Sequence, residues 1–219
     1  MDYKYPTPQL LLKAICNAIR SKTGNSDEIP HQNIPDELDS IIIDEEEYNI
    51  EMQRFIDIIE GTSFINDRIT TVKDQLFYYS TSLTTVSIPE CTSIGSYAFI
   101  GCKSLTTIDL PECTSIGNYA FNSCTSLTTV NLPKCTSIGD FAFQNCTNLT
   151  TIILSNNQVA TLSSRYAFNS SAITRTGYIY VPDNLVDSYK SDTNWSTCAN
   201  QIKPISELPS NLKEEYGYD

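Results

Sequence analysis

Six of the eight cysteines fall at intervals of eleven residues: Cys91, Cys102, Cys113, Cys124, Cys135 and Cys146. Regularly spaced thiols could build a disulfide framework or hold a soft metal. No Cys-x-x-Cys pair occurs, so the zinc and redox spacings are absent. The series separates into two sets of three, Cys91/Cys113/Cys135 and Cys102/Cys124/Cys146, each with a period of 22. On stacked parallel strands such rungs lie ~4.8 Å apart, a Cα separation that a disulfide can bridge. Equivalent side chains on a ladder point the same way, however, and each set is odd in number. The expectation is therefore buried free thiols that fill space and donate weakly to turn carbonyls.

Other reactive groups are sparse. The single histidine, His31, is the only place for a Ser–His–Asp centre, and two-histidine zinc motifs are impossible. It lies between proline-containing turns with no evident partner and reads as a surface loop residue. The run Glu45-Glu46-Glu47 sits where a helix should start, which suits the positive end of the helix dipole; it reads as a solvated face rather than an acid/base pair. No catalytic residue, metal site or cofactor is nominated, and an enzyme is the remote alternative.

The 219 residues carry 14 basic and 26 acidic groups, a formal charge of −12. That excess opposes binding to nucleic acid or anionic membrane, both of which reward basic patches. Hydrophobic residues make up 40 %, enough for a packed core. The longest aliphatic runs, residues 10–12 and 41–43, fall far short of the ~20 needed to span a bilayer, so no membrane insertion is expected. The opening MDYKYPTPQ lacks the layout of a secretory signal. Localisation stays open between the extracellular or cell-surface space and a virion.

The acidity is uneven. Residues 1–61 carry 13 acidic and 5 basic groups, whereas residues 69–171 carry 5 and 4. The break separates a helical part from a repetitive one. Three units align without gaps from Leu83, Leu105 and Leu127, beginning with LTTVSIPECTSIGSYAFIGCKS. A fourth opens with LTTIILSNN at Leu149, and TVKDQLFYYSTS, residues 71–82, is a degenerate leading copy. Val86 and Ile88 alternate with Thr85 and Ser87, the period-2 signature of a strand with one row inward. Pro89 ends the strand because it cannot donate to a ladder. Ile94-Gly95 turns the chain, and Tyr97-Ala98-Phe99 reads as a helical turn closing the far side. A single unit holds too few large apolar residues to fold alone, so the units must stack as a solenoid.

The flanks read as caps and attachment. Over residues 1–61, helix signals begin at Thr7-Pro8, at Pro35 and at Asp44. The third helix is expected to cap the open coil, the first two to attach to a partner or a larger assembly. YIYVP, residues 178–182, repeats the strand pattern, residues 183–195 read as helical, and the tail beyond Pro204 reads as polar and loose. The expected division is thus 1–61 helical segment, 62–182 solenoid, and 183–219 helical cap with polar tail.

Each unit matches the leucine-rich-repeat pattern L-x-x-L-x-L-x-x-N/C, as in Leu83, Val86, Ile88 and Cys91 or Leu149, Ile152, Leu154 and Asn157. The I-G-x-Y-A-F-x-x-C half resembles the BspA-type leucine-rich repeats of bacterial surface and phage-associated proteins, over residues 69–182. LLKAICNAIRSKTGNSDEIP and YVPDNLVDSYKSDTNWSTCANQIKPIS are similar to flanking segments of phage or prophage tail-associated proteins. The fold implied is a right-handed leucine-rich-repeat solenoid, with a parallel β-sheet and short helical or irregular returns, preceded by an α-helical segment. The resemblance implies a non-catalytic module binding a protein or cell-surface ligand, of adhesion or recognition type. The alternative is a structural component of a phage or prophage tail, with residues 1–43 mediating a homo-oligomer or larger assembly. The candidate binding surface is the exposed row of the concave strand face: Thr85, Ser87, Thr107, Asp109, Thr129, Asn131, Thr151 and Ile153.

Overall fold

The computed structural model describes residues 62–218. The three helices expected over residues 1–61, with His31, Cys16 and the proposed attachment segment, lie outside the described residues.

The first five coils each contribute two short strands, and the last two turns one each. One set comprises β1 (Ser63–Ile65), β3 (Thr85–Ser87), β5 (Thr107–Asp109), β7 (Thr129–Asn131), β9 (Thr151–Ile153), β11 (Tyr178–Val181) and β12 (Ile202–Pro204). They form a seven-stranded parallel sheet in that order. The other set comprises β2 (Thr71–Val72), β4 (Ser93–Ile94), β6 (Ser115–Ile116), β8 (Ser137–Ile138) and β10 (Thr161–Leu162), a second parallel sheet of five strands. The register repeats the sequence period, with Thr85 opposite Thr107 and Ile94 opposite Ile116. It widens where the fourth unit is enlarged, at Ser137 opposite Thr161 and Thr151 opposite Tyr178, and by one residue at Ile179 opposite Ile202.

The alternation read in the sequence places Val86, Ile108, Val130 and Ile152 inside, all buried. Behind them Phe77, Phe99, Phe121, Phe143 and Phe168 form a continuous stack with ring centroids 4.8–5.8 Å apart. Offset stacking of this kind adds about 0.5–1.5 kcal/mol per pair beyond the area removed from water.

The coil spacing is enforced at the turn after each short strand. A Cβ built on Gly117 would lie 2.6 Å from the backbone carbon of Gly95 and the nitrogen of Ser96, and one on Gly139 would meet Gly117 in the same way. Glycine is required there because backbone passes directly over backbone. Two rows of threonine add polar stitches: Thr106 Oγ1 donates to the Thr84 carbonyl and Thr114 Oγ1 to the Thr92 carbonyl, each at 3.0 Å.

The return arc corrects one expectation. Tyr97-Ala98-Phe99 is no helical turn. Tyr97, Tyr119 and Phe141 adopt left-handed backbone conformations, with φ of 59°, 56° and 53°. Left-handed geometry costs an L-residue roughly 1–2 kcal/mol, and here it aims alternate amides along the stack. The N–H groups of Tyr97, Phe99 and Gly101 donate to Asn118, Ala120 and Asn122 of the next coil at 2.7–2.9 Å. A helix would have spent those donors within the coil. The arc is thus a third hydrogen-bonded ladder, and the half-buried rings of Tyr97, Tyr119 and Phe141 and the exposed ring of Tyr166 stack along it at 4.9–5.6 Å.

Past the last coil, a 3-10 turn (Asp183–Leu185), helix α1 (Val186–Ser191) and a kinked 3-10 segment (Trp195–Gln201) cover the end of the stack. The Trp195 ring continues the phenylalanine stack 5.7 Å from Phe168. Its indole N–H donates to the Ala160 carbonyl at 2.6 Å, the Tyr189 hydroxyl accepts from Ala160 N–H at 2.9 Å, and Asn194 Nδ2 donates to the Leu162 carbonyl at 2.7 Å. Side chains here replace the backbone partners that a further coil would have supplied.

Candidate functional site

The cysteines occupy two kinds of place inside the coils. Cys102, Cys124 and Cys146 donate through Sγ to the carbonyls of Phe77, Phe99 and Phe121 in the preceding coil, at 3.0–3.1 Å. Cys91, Cys113 and Cys135 donate to Ser93, Ser115 and Ser137 in their own coils at 3.2–3.3 Å. Burial pushes the thiols of Cys102, Cys113 and Cys146 up to about 12 and that of Cys135 to about 11, because a thiolate would lose its hydration. A thiol so held is a poor nucleophile and a poor metal ligand. Among the described residues no group of three or more His, Cys, Asp or Glu is placed to hold a metal ion. No helix among them is long and apolar enough to cross a membrane.

The eight residues nominated on the strand face lie together, on one side of the seven-stranded sheet. One row runs through Thr85, Thr107, Thr129 and Thr151 to Tyr178. The next runs from Ile65 through Ser87, Asp109, Asn131 and Ile153 to Tyr180 and Lys203. The two rows differ in character along the stack. Thr107 and Asp109 are exposed, and Ile65 at the first coil is 72 % exposed.

The far end of the face is covered, which corrects two expectations. The chain beyond Pro204 is ordered: a 3-10 turn (Ile205–Glu207) leads to helix α2 (Ser210–Tyr216), closed by Gly217 at φ 71°. Ile153 is fully buried, where the strand alternation had placed it in water. It joins Tyr180 and Leu208 in a small apolar cluster, flanked by Ile205, Leu212, Tyr216 and Tyr218. The Tyr218 hydroxyl donates to Asn131 Oδ1 at 2.8 Å and pairs with Ser155 Oγ at 2.9 Å. Burial, with the carboxylates of Glu215 and Asp109 nearby, pushes the Tyr216 phenol up to about 12. At the rim Lys203 Nζ lies 4.5 Å from the centre of the Tyr178 ring and 3.0 Å from Glu207 Oε2.

Tyr178, Tyr180, Lys203 and the tail were not nominated from the sequence. A signal for them existed. The variable strand position reads Ser87, Asp109, Asn131 and then Ile153, so an apolar residue arrives where water was expected, and such a residue needs a cover.

Stacked parallel coils with this register define a leucine-rich-repeat solenoid. The BspA type leucine-rich repeat region, in six copies, matches residues 70–191, more than half of the chain. The chain belongs to the BspA-type leucine-rich-repeat family. Among solved structures it is similar to a leucine-rich repeat protein of T. pallidum, at 24 % identity and a TM-score of 0.52, covering 73 % of this chain and 83 % of that one. A leucine-rich repeat protein of Bacteroides ovatus matches at 24 % identity and a TM-score of 0.46, over 65 % of this chain and 42 % of that one. A leucine rich cell surface protein of Faecalibacterium prausnitzii matches at 23 % identity and a TM-score of 0.34, over 63 % and 43 %. The chain therefore spans less than half the length of the last two. At 24 % identity the likeness to the T. pallidum protein speaks for the fold alone. No curated protein sequence gives a significant match.

Proposed function

We propose that this chain is a non-catalytic binding module that holds a protein or cell-surface ligand against the strand face of its solenoid. One observation carries the reading: an invariant scaffold displays a variable row. The threonine stitches, the glycine turns, the thiols and the phenylalanine stack recur from coil to coil. The row Ser87, Asp109, Asn131 changes at every step in the same register. Identical supports with changing outward residues are the arrangement of a surface that recognises by shape and area rather than by a reactive centre. The excess of acidic groups favours a ligand without strong negative charge.

The open half of the face, Thr85, Ser87, Thr107 and Asp109, is where such a ligand would first meet the chain. Pull-down from target-cell surface extracts with the wild-type chain and with Thr85→Arg/Thr107→Arg tests the reading. Arginines at two neighbouring coils place bulk and charge in the middle of the open half. Loss of the captured ligand is the expected result. Undiminished capture by a folded variant removes the strand face from the account.

A further inference from the structure

The C-terminal segment sits on the strand face as a ligand would. Its contacts form a cluster separate from the coil interior, built on Ile153, Tyr180 and Leu208. Lifting it exposes that cluster and leaves the interior rows of the coils closed. Helix α2 has seven residues, far below the ~12–15 at which isolated helices become even marginal in water. Its order therefore comes from the surface beneath it. The polar attachment is also confined: the Ser206 amide donating to Asp183 Oδ1 at 3.1 Å, one phenol bonded to Asn131 and Ser155, and the Lys203–Glu207 pair at the rim.

These contacts spell out what the covered surface accepts. Ile153 and Tyr180 meet aliphatic and aromatic side chains, Asn131 takes a phenol hydroxyl, and Lys203 takes a carboxylate. The occupant supplies Leu208, Leu212, Tyr216 and Tyr218 at intervals of four, four and two. It carries Glu207, Glu214 and Glu215 against Lys213. We propose that the strand face from Asn131 to Lys203 is a docking surface for a partner segment with two leucines and two tyrosines at this spacing and one carboxylate to meet Lys203. Residues 205–218 are then a resident occupant that such a segment displaces. The proposal rests on the strand face being the binding surface and specifies what its covered half takes.

The test uses the full chain with Leu208→Glu and Leu212→Glu, which replace two apolar contacts of the tail by charge. The probe is a fluorescently labelled synthetic peptide of residues 205–219 in the wild-type sequence, followed by anisotropy. The peptide is expected to bind the tail-released chain at least tenfold more tightly than the wild type. Adding Asn131→Arg to the released chain should abolish that binding. Equal binding to both chains, or binding to neither while the far-ultraviolet spectrum of the coils is intact, overturns the proposal. So does a wild-type chain whose solution mass doubles with concentration through exchange of tails, since the occupant is then a second copy.

Hydrogen exchange on the unaltered chain gives an independent reading if the double variant fails to fold. The amides of Leu212, Lys213 and Tyr218, bonded within the tail, should exchange at least a hundredfold faster than those of Leu132 and Leu154, bonded between coils. Equal protection would mean that the tail opens only with the whole fold, and the proposal fails. The arginine substitutions at Thr85 and Thr107 probe the open half and the peptide probes the covered half, so either reading can fail without the other.

Discussion

Raising the pH from 8 to 10 should remove a large part of the stability of this chain, for a reason set inside the coils. Four buried thiols, Cys102, Cys113, Cys135 and Cys146, have proton affinities raised from an ordinary value near 9 to about 11 or 12. In the unfolded chain they titrate normally. A group whose folded value is raised stabilises the fold fully below its unfolded value, and that contribution is lost as the pH climbs towards the folded value. Between pH 9 and 11 the unfolded chain releases these protons while the folded chain keeps them, at ~1.4 kcal/mol per thiol per pH unit. Four thiols acting together amount to about 5 kcal/mol at pH 10, comparable with the whole stability of many domains. Urea unfolding at pH 8, 9 and 10 in the presence of a reductant reads this directly. Cys102→Ala should lower the slope above pH 9, since it removes one of seven buried thiols whose proton affinity burial raises. A free energy of unfolding that stays within ~1 kcal/mol from pH 8 to 10 would refute the assignment of these thiols as buried and protonated.

Three substitutions test the packing account. Gly117→Ala drives a methyl to 2.6 Å from the backbone of Gly95 and Ser96, and should cost about 3 kcal/mol or more, seen as a lower urea midpoint. Phe121→Ala breaks the ring stack between Phe99 and Phe143 and should cost about 3–5 kcal/mol by the same measurement, with hydrogen exchange accelerated in the coils on both sides. Trp195→Phe keeps an aromatic ring at the end of the stack but leaves the buried Ala160 carbonyl without its indole donor. A loss of about 1–3 kcal/mol is expected in thermal or urea unfolding.

Most of the architecture was readable because the same 22 residues recur. Repetition shows which positions are structural: Val86, Ile108 and Val130 hold the interior row, and Cys102, Cys124 and Cys146 hold one thiol row. The return arc was misjudged because Tyr97, Tyr119 and Phe141 are ordinary helix-compatible residues. Nothing in their type announces a left-handed backbone, and only the amides of the neighbouring coil make that conformation favourable. The tail was misjudged for a related reason. Leu208, Leu212, Tyr216 and Tyr218 are spread over a turn, a short helix and a terminus, so no single period links them. Their common partner, the Ile153–Tyr180 pair, lies at least 28 residues upstream of Leu208. Within the candidate site the open residues were legible from strand alternation. The covered ones depended on contacts between distant parts of the chain.

The sameness of the coils also bears on how the protein can change in size. Thr85, Thr107 and their counterparts meet the next coil in an identical way, so removing residues 105–126 would rejoin two surfaces that already match. Idiosyncratic links, such as Lys134 to Glu112 and Asn122 to Gln144, mark one coil from another. Gain or loss of a unit would move the terminal cap by about 4.8 Å with the interior unaltered. The solenoid is in that sense an adjustable spacer, whose reach is set by counting units rather than by redesigning them.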